Sequence, residues 1–434
     1  MTVTRSYEVQ DVFTPTRPAR STFVERQSVN DRLVAALETP GKQIVVYGYS
    51  GCGKTTLLVN KLHQLYENHI TTRCYSGLTF EQLMLDAFDR LAPFYDSERT
   101  HTKTNKVSSS IQMNYLGIKG QMAGDSARQD QTKQLRVLPP QLTPQNLAIF
   151  LGETHCCWVL DDFHKIDSRE KVKMAQVMKL FVDMADTYPE LRIIAIGAVD
   201  TARQVIQFDR EMDNRVSEVF VPLMTEAEIR EIPDQGEKLL NFSLPPAIKN
   251  QVVRFSDGLA SICHQLCLNI CFAAEIRRTI EANIEINQDV LDKALELYVE
   301  ESADTLKGAF DQAFRQSHGQ TLNDGKVILR ALLKYNQEGA TKEEILAKIK
   351  RKQPEYKMPT LTNFLRHLQS PDRGELIRYD PASARYSFSE NIYRAYAATY
   401  FEREQQKETR AQKTTVNVDA EDVLRHLIRD TLAH

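Results

Sequence analysis

The sequence predicts an α/β protein built around a parallel sheet, and three stretches carry that expectation. Gln43-Ile44-Val45-Val46-Tyr47 is a short apolar strand that runs into a glycine loop, with a helix opening at Thr56-Leu57-Leu58. Cys156-Cys157-Trp158-Val159-Leu160 runs without alternation into two acids, Asp161-Asp162. Leu191-Arg192-Ile193-Ile194-Ala195-Ile196-Gly197 is a further apolar run. Runs of this kind suit parallel strands buried on both faces, and the crossovers between such strands are helical.

The glycine loop is the most specific signal. Gly48-Tyr49-Ser50-Gly51-Cys52-Gly53-Lys54-Thr55 fits the P-loop pattern G-x-x-x-x-G-K-[ST] at every fixed position. Glycines at 48, 51 and 53 allow backbone angles that a side chain forbids, so the N–H groups of the loop can turn inward around a phosphate. The helix that follows, opening at Thr56, adds its positive end. Lys54 is expected at the β- and γ-phosphates, and the Thr55 hydroxyl on Mg²⁺. Tyr49, Ser50, Cys52 and Thr56 complete the expected phosphate-lining segment. The two acids are expected at the carboxyl end of their strand, where open α/β sheets place ligands.

Composition bounds the rest. The 434 residues are enough for two or three domains. Charged residues make up 26% and the net charge is −3, so global charge neither demands nor excludes nucleic acid. No apolar run reaches membrane-spanning length, and Met1 to Arg20 lacks the apolar core of a secretory signal. Seven cysteines without paired spacing suit a reducing cytoplasm. Cys263, Cys267 and Cys271 recur on one helix face and are expected to pack in a core, with His264 one residue round the helix.

Taken together, these motifs resemble P-loop ATPases of the AAA+/STAND group, nearest the origin-recognition-like and archaeal-type ATPases, over roughly residues 23–396. Phe23-Val24-Glu25-Arg26 and the helix Val29–Glu38 resemble the entry segment that lies beside the adenine in that group. Ile70–Tyr75 and Phe80–Leu91 follow as a strand and a helix. Asp161-Asp162 resembles a Walker B motif. The resemblance implies Asp161 in the Mg²⁺ shell and Asp162, where the group usually carries Glu, orienting or deprotonating the attacking water. Ser168–Thr187 is the next helix. Beyond the Leu191–Gly197 strand the sensor candidates are Asp200 and Thr201, and the usual Asn is absent. Asp213-Asn214-Arg215, before the strand Val219–Leu223, resembles the segment that ends in an arginine finger. Arg215 is therefore either a finger donated to a neighbouring subunit or a surface arginine in a turn. Arg203 and Arg210 are weaker candidates. No Asn-Lys-x-Asp signature for guanine occurs, since Asn60-Lys61 runs into Leu62-His63 and Asn105-Lys106 into Val107-Ser108. The resemblance implies ATP with Mg²⁺.

The expected organisation is an extended lead-in over 1–22, a P-loop core over 23–223, a helical lid over 224–320, a winged helix-turn-helix over 321–400, and a tail over 401–434. Within the core, 95–140 is a polar insertion, read as a substrate-contacting loop or a spacer, with a hairpin expected around Gly117 to Gly120. The lid helices are expected at Glu226–Glu231, Pro245–Phe255, Leu259–Arg278 and Gln288–Ser317. The lid resemblance calls for a sensor arginine where this chain has His264, leaving a structural or a phosphate-facing histidine. The final module is expected as helices Gly325–Tyr335, Lys342–Lys350 and Leu361–Gln369, then strands Leu376–Tyr379 and Arg385–Phe388. The tail holds an amphipathic helix, Asp419–Leu432. Residues 323–396 hold 14 Lys and Arg against nine Asp and Glu. Lys348, Lys350, Arg351, Lys352 and Lys357 form a local patch suited to duplex DNA backbone.

Two functions stay open on the sequence. One is an ATP-driven homo-oligomer that assembles on DNA. The other is a STAND signalling switch, for example in antiviral defence, that controls a separate effector protein, with the winged helix as an internal regulatory module.

Overall fold

A computed structural model describes residues 6–65, 68–101, 142–198, 212, 214–301, 304–316, 322–381 and 383–406. Most of the expected insertion (102–140), the candidates Asp200, Thr201, Arg203 and Arg210, and the Asp419–Leu432 helix lie outside these residues. The chain forms two compact units, one from Glu25–Tyr49 and Gly53–Pro222, the other from Met1–Val24, Ser50–Cys52 and Leu223–His434.

The first unit is a five-stranded parallel sheet. It runs from α1 (Gln27–Glu38) through β1 (Gln43–Gly48), α2 (Lys54–Leu65), β2 (Asn68–Arg73), α3 (Phe80–His101) and α4 (Pro144–Glu153) to β3 (Cys156–Asp161), α5 (Ser168–Asp183), β4 (Ile193–Gly197) and β5 (Val216–Val221). Spatial order is β2-β3-β4-β1-β5. After β1 the chain leaves for the far edge of the sheet, works back to β4, and then adds β5 on the other side of β1. Such a reversal opens a crevice at the carboxyl end of β1. The apolar runs are buried as expected, with β3 covered from Cys156 to Leu160. Trp158 is fully buried, and its indole N–H donates to Thr72 Oγ1 at 3.0 Å. At the opposite edge, buried Arg192 donates to the carbonyls of Ala36, Pro189 and Glu190. That pairing with neutral oxygens satisfies the guanidinium as its burial requires.

Several boundaries differ from expectation. β2 starts and ends two residues early because it pairs residue for residue with β3, from Asn68 opposite Cys156 to Arg73 opposite Asp161. β5 also starts early, paired with β1 from Val216 to Val221; Pro222 then offers no N–H to continue the ladder. Helix α4 was not expected at all. Its signal is Thr143-Pro144, with the Thr143 hydroxyl accepting from Asn146 N and proline in the first turn.

The second unit is mostly helical. A single turn, Val9–Val12, replaces part of the expected extended lead-in, and Val9, Val12 and Phe13 are buried among the helices. Helix α6 (Glu226–Leu240) opens on a capping box between Thr225 and Glu228. It was expected to stop at Glu231, before Pro233, but it continues. Proline removes one intrahelical bond and frees the carbonyl four residues back, and here Ile229 O accepts the Cys263 thiol at 3.7 Å. Gly236 clears the Phe13 ring, since a Cβ there would lie 2.2 Å from Phe13 Cζ. Helices α7 (Pro246–Ser256) and α8 (Ala260–Ala273) follow, then the helical stretches α9 (Gln288–Glu301) and α10 (Asp304–Ala313). A short parallel pair, β6 (Phe242–Ser243) with β7 (Ile284–Glu285), was not foreseen. The C-terminal part is α11 (Asp324–Leu332), α12 (Lys342–Lys350), α13 (Met358–His367), and the hairpin β8 (Ile377–Asp380) and β9 (Arg385–Phe388). An Ala340–Tyr386 bridge adds to the hairpin, and residues 391–406 are helical.

His264 on α8 is structural. It is buried, its Nδ1 accepts the Thr14 N–H at 3.2 Å, and its ring meets Phe13 edge-on. Burial pushes its pKa down to about 4. The unfolded chain, titrating near 6.5, therefore takes up the proton first. The stabilisation is complete above pH 6.5 and is lost as pH falls toward 4, by about 3 kcal/mol at about 1.4 kcal/mol per unit. The expected result is a His264 ring resonance that does not titrate between pH 7 and 5, and a His264→Gln variant whose stability falls less steeply in acid. A midpoint near 6.5 for that resonance would overturn the assignment.

Candidate functional site

The glycine loop leaves β1 at Gly48 and enters α2 at Lys54. Gly51 and Gly53 hold φ +78° and +92°, in the left-handed region that only glycine adopts freely. Gly51 has a second reason. A Cβ there would meet Ser261 Oγ at 2.3 Å, and Gly51 O accepts the Ser261 N–H at 3.3 Å. Lys54 Nζ donates to Gly48 O at 3.0 Å and Tyr49 O at 2.7 Å, so its ammonium spans the start of the loop. The Thr55 and Thr56 hydroxyls lie in the first turn of α2, both partly buried, and Cys52 is buried.

Asp161 ends β3, two strands from β1 at the same carboxyl edge of the sheet. Burial raises its pKa and the neighbouring Asp162 carboxylate raises it further, against the pull of Arg73 and Lys54. Lys54 and Asp161 are thus close enough for their charges to act on each other. Asp162 sits in a left-handed conformation, φ 59° and ψ 32°. Its N–H donates to Asp161 Oδ1 at 3.1 Å, and its Oδ2 accepts from Lys165 Nζ at 2.6 Å. Both partners of that ion pair are about half exposed, a setting in which a pair contributes less than about 1 kcal/mol. Asp162 is therefore readily released. His164 stands beside it, with its pKa lowered chiefly by burial.

The oxygen set fits Mg²⁺. A Thr55 hydroxyl and an Asp161 carboxylate are hard donors, and the crowding of Asp161 by Asp162 is a field that a divalent cation relieves. Among the described residues no cluster of three or more His, Cys, Asp or Glu could hold a metal. Mg²⁺ in phosphate sites needs none, being held by one or two carboxylates, phosphate and water.

Arg215 directly precedes β5, at the amino edge of the sheet, and donates to Asp183 Oδ1 at 3.2 Å. It is remote from its own chain's loop, so any phosphate it served would belong to another subunit. In the C-terminal part, Lys350, Arg351, Lys352 and Lys357 are exposed and Lys348 partly so; none makes an ion pair among the described residues. On α13, Thr362, Asn363 and Arg366 face outward while Leu361 and Leu365 are buried. Reasoning from sequence missed Arg73, His164 and Lys165. The last two were signalled only by following the acids within Asp161-Asp162-Phe163-His164-Lys165; Arg73 gave no signal until the register of β2 was known.

No protein-family model matches the sequence, and no curated protein matches it. Solved structures do. A Walker-type ATPase of Pyrococcus abyssi is 15% identical, with TM-score 0.52, over 89% of this chain and 99% of its own. The ORC2 protein of Aeropyrum pernix is 11% identical, with TM-score 0.41, over 88% of this chain and 92% of its own. The RuvB branch migration motor of Thermotoga maritima is 14% identical, with TM-score 0.40, over 87% of this chain and 97% of its own. The first carries the fold: this chain has the α/β fold of a Walker-type P-loop ATPase. The other two superpose more loosely and add nothing to that assignment. Among the described residues, no helix is long and apolar enough to cross a membrane.

Proposed function

We propose that the protein binds and hydrolyses ATP with Mg²⁺ and couples its nucleotide state to assembly and to duplex DNA in the cytoplasm. The observation that carries the reading is the meeting of Lys54, Asp161 and Asp162 at one edge of the sheet. The loop N–H groups and the end of α2 hold the phosphates, and Lys54 gives up its carbonyl partners for the β- and γ-oxygens. Thr55 and Asp161 hold Mg²⁺, which neutralises charge on the phosphates when bound. Asp162, freed from Lys165, takes the proton of the attacking water as the bond from the γ-phosphorus to the leaving oxygen breaks, giving ADP and inorganic phosphate. Arg215 is proposed as a finger supplied to a neighbouring copy in a homo-oligomer. Three helices and a hairpin in the order of a winged helix, with surface cations that make no ion pair among the described residues, support contact with DNA phosphates.

The test is ATP turnover with and without duplex DNA across protein concentration. Turnover per subunit should rise with concentration and with DNA in low salt, and Arg215→Ala should abolish the concentration dependence while leaving nucleotide binding intact. Low turnover indifferent to DNA and concentration would sink the DNA-assembly reading. It would favour the second one, a STAND-type switch acting on a separate effector. One observation already leans that way: Arg394 of the C-terminal module is tied to Asp257, beside the first turn of α8.

A further inference from the structure

Besides Lys54 of the loop and Lys165 on Asp162, the carboxyl edge of the sheet carries a third cation. Arg73 is the last residue of β2 and the register partner of Asp161. Residues paired in register share a face, so Arg73 lies on the face of Asp161, opposite that of Thr72 and Leu160. The strand end is held firmly. Thr72 Oγ1 accepts from the Trp158 indole at 3.0 Å and donates to Asp86 Oδ2 at 2.6 Å, and Asp86 is in turn bound by Arg90. On the far side, Cys74 N–H donates to Asp161 O at 2.8 Å, so the backbone is fixed on both flanks of Arg73. The guanidinium itself is exposed and makes no hydrogen bond or ion pair among the described residues, although its charge acts on Asp161. A rigidly based arginine with an unused planar fork, beside the carboxylate assigned to Mg²⁺, is arranged for an oxyanion.

We propose that Arg73 is a phosphate contact supplied in cis, its guanidinium meeting a γ-phosphate oxygen of the nucleotide. This rests on the nucleotide reading above. The contact is made to ATP and lost with ADP, so Arg73 contributes both to catalysis and to discrimination between the two nucleotides.

The experiment compares the full chain with Arg73→Ala, Arg73→Gln, Arg73→Lys and Lys54→Ala, measuring affinity for a slowly hydrolysed ATP analogue and for ADP, single-turnover hydrolysis, and the Mg²⁺ dependence of each. Arg73→Ala and Arg73→Gln should lower the single-turnover rate by about 100-fold, below the range seen for arginine fingers supplied by a partner. They should also weaken the ATP analogue about tenfold with ADP unchanged, and Arg73→Lys should recover part of both losses. An unchanged rate and an unchanged preference for the analogue over ADP would overturn the proposal. So would a shift in Mg²⁺ dependence alone, which would make Arg73 only a support for Asp161. If the unaltered chain binds neither nucleotide and matches Lys54→Ala, the nucleotide reading falls and this one with it. Intact binding with no effect at Arg73 removes this one alone.

Discussion

Lys54→Ala will weaken binding of both ATP and ADP by about 100-fold. Charge-assisted hydrogen bonds contribute about 1.5–3 kcal/mol, and each 1.4 kcal/mol is tenfold in affinity. The ammonium now bridges Gly48 O and Tyr49 O, so its removal also loosens the loop that has to present its N–H groups. Asp162→Asn should behave in the opposite way. It removes the base but keeps the left-handed conformation that Asn tolerates, so binding should persist while turnover drops by about 10²- to 10⁴-fold. Titration of both variants with a fluorescent nucleotide, followed by single-turnover hydrolysis, separates the two roles. Near-normal affinity in Lys54→Ala would mean that the loop does not hold phosphate.

The parts legible in the sequence were those fixed by local chemistry. The P-loop needs glycines at φ values that other residues avoid, and both are visible in the loop's sequence, Gly53 at a fixed position of the pattern and Gly51 at one of its variable ones. The strands feeding the site were legible because burial on both faces leaves an unbroken apolar run. What escaped was set by partners distant in the chain. Pro233 argued for a helix end, and the helix continues because Cys263, 30 residues on, accepts the role of the missing donor for Ile229 O. The shift of β2 depends on Cys156–Asp161, and with it the placement of Arg73 beside Asp161. The cysteine stripe was read as core, and all three of its residues are buried. His264, left open between core and phosphate, is bound to Thr14, a contact across 250 residues that no local pattern announces.

Arg394→Met should destabilise the helical unit by about 3–5 kcal/mol, the range for stripping one partner from a buried ion pair. Arg394 Nη1 donates to Asp257 Oδ1, and Nη2 to Tyr335 O at 2.8 Å. The two side chains are only 16% and 13% exposed. Asp257 Oδ2 and Arg394 Nε find no partner among the described residues, so the pair is incompletely compensated and its single variants should be costly. Burial holds the Asp257 pKa above the ordinary carboxylate value despite the arginine. A raised folded-state value means that this carboxyl favours folding in acid and loses that contribution as pH rises through it. Removing the countercharge should therefore be most damaging at neutral pH and milder in acid, where Asp257 is protonated. Asp257→Asn keeps the left-handed cap of α7 and should recover part of the loss when combined with Arg394→Met, a coupling of about 1–3 kcal/mol between residues in contact. Chemical unfolding followed by circular dichroism at two pH values tests all three statements. The lone tryptophan, Trp158, is unsuitable as the probe because it reports on the sheet unit. Strict additivity, or a loss that does not depend on pH, would mean that the two charges are solvated and that the C-terminal module is not locked to the start of α8 through them.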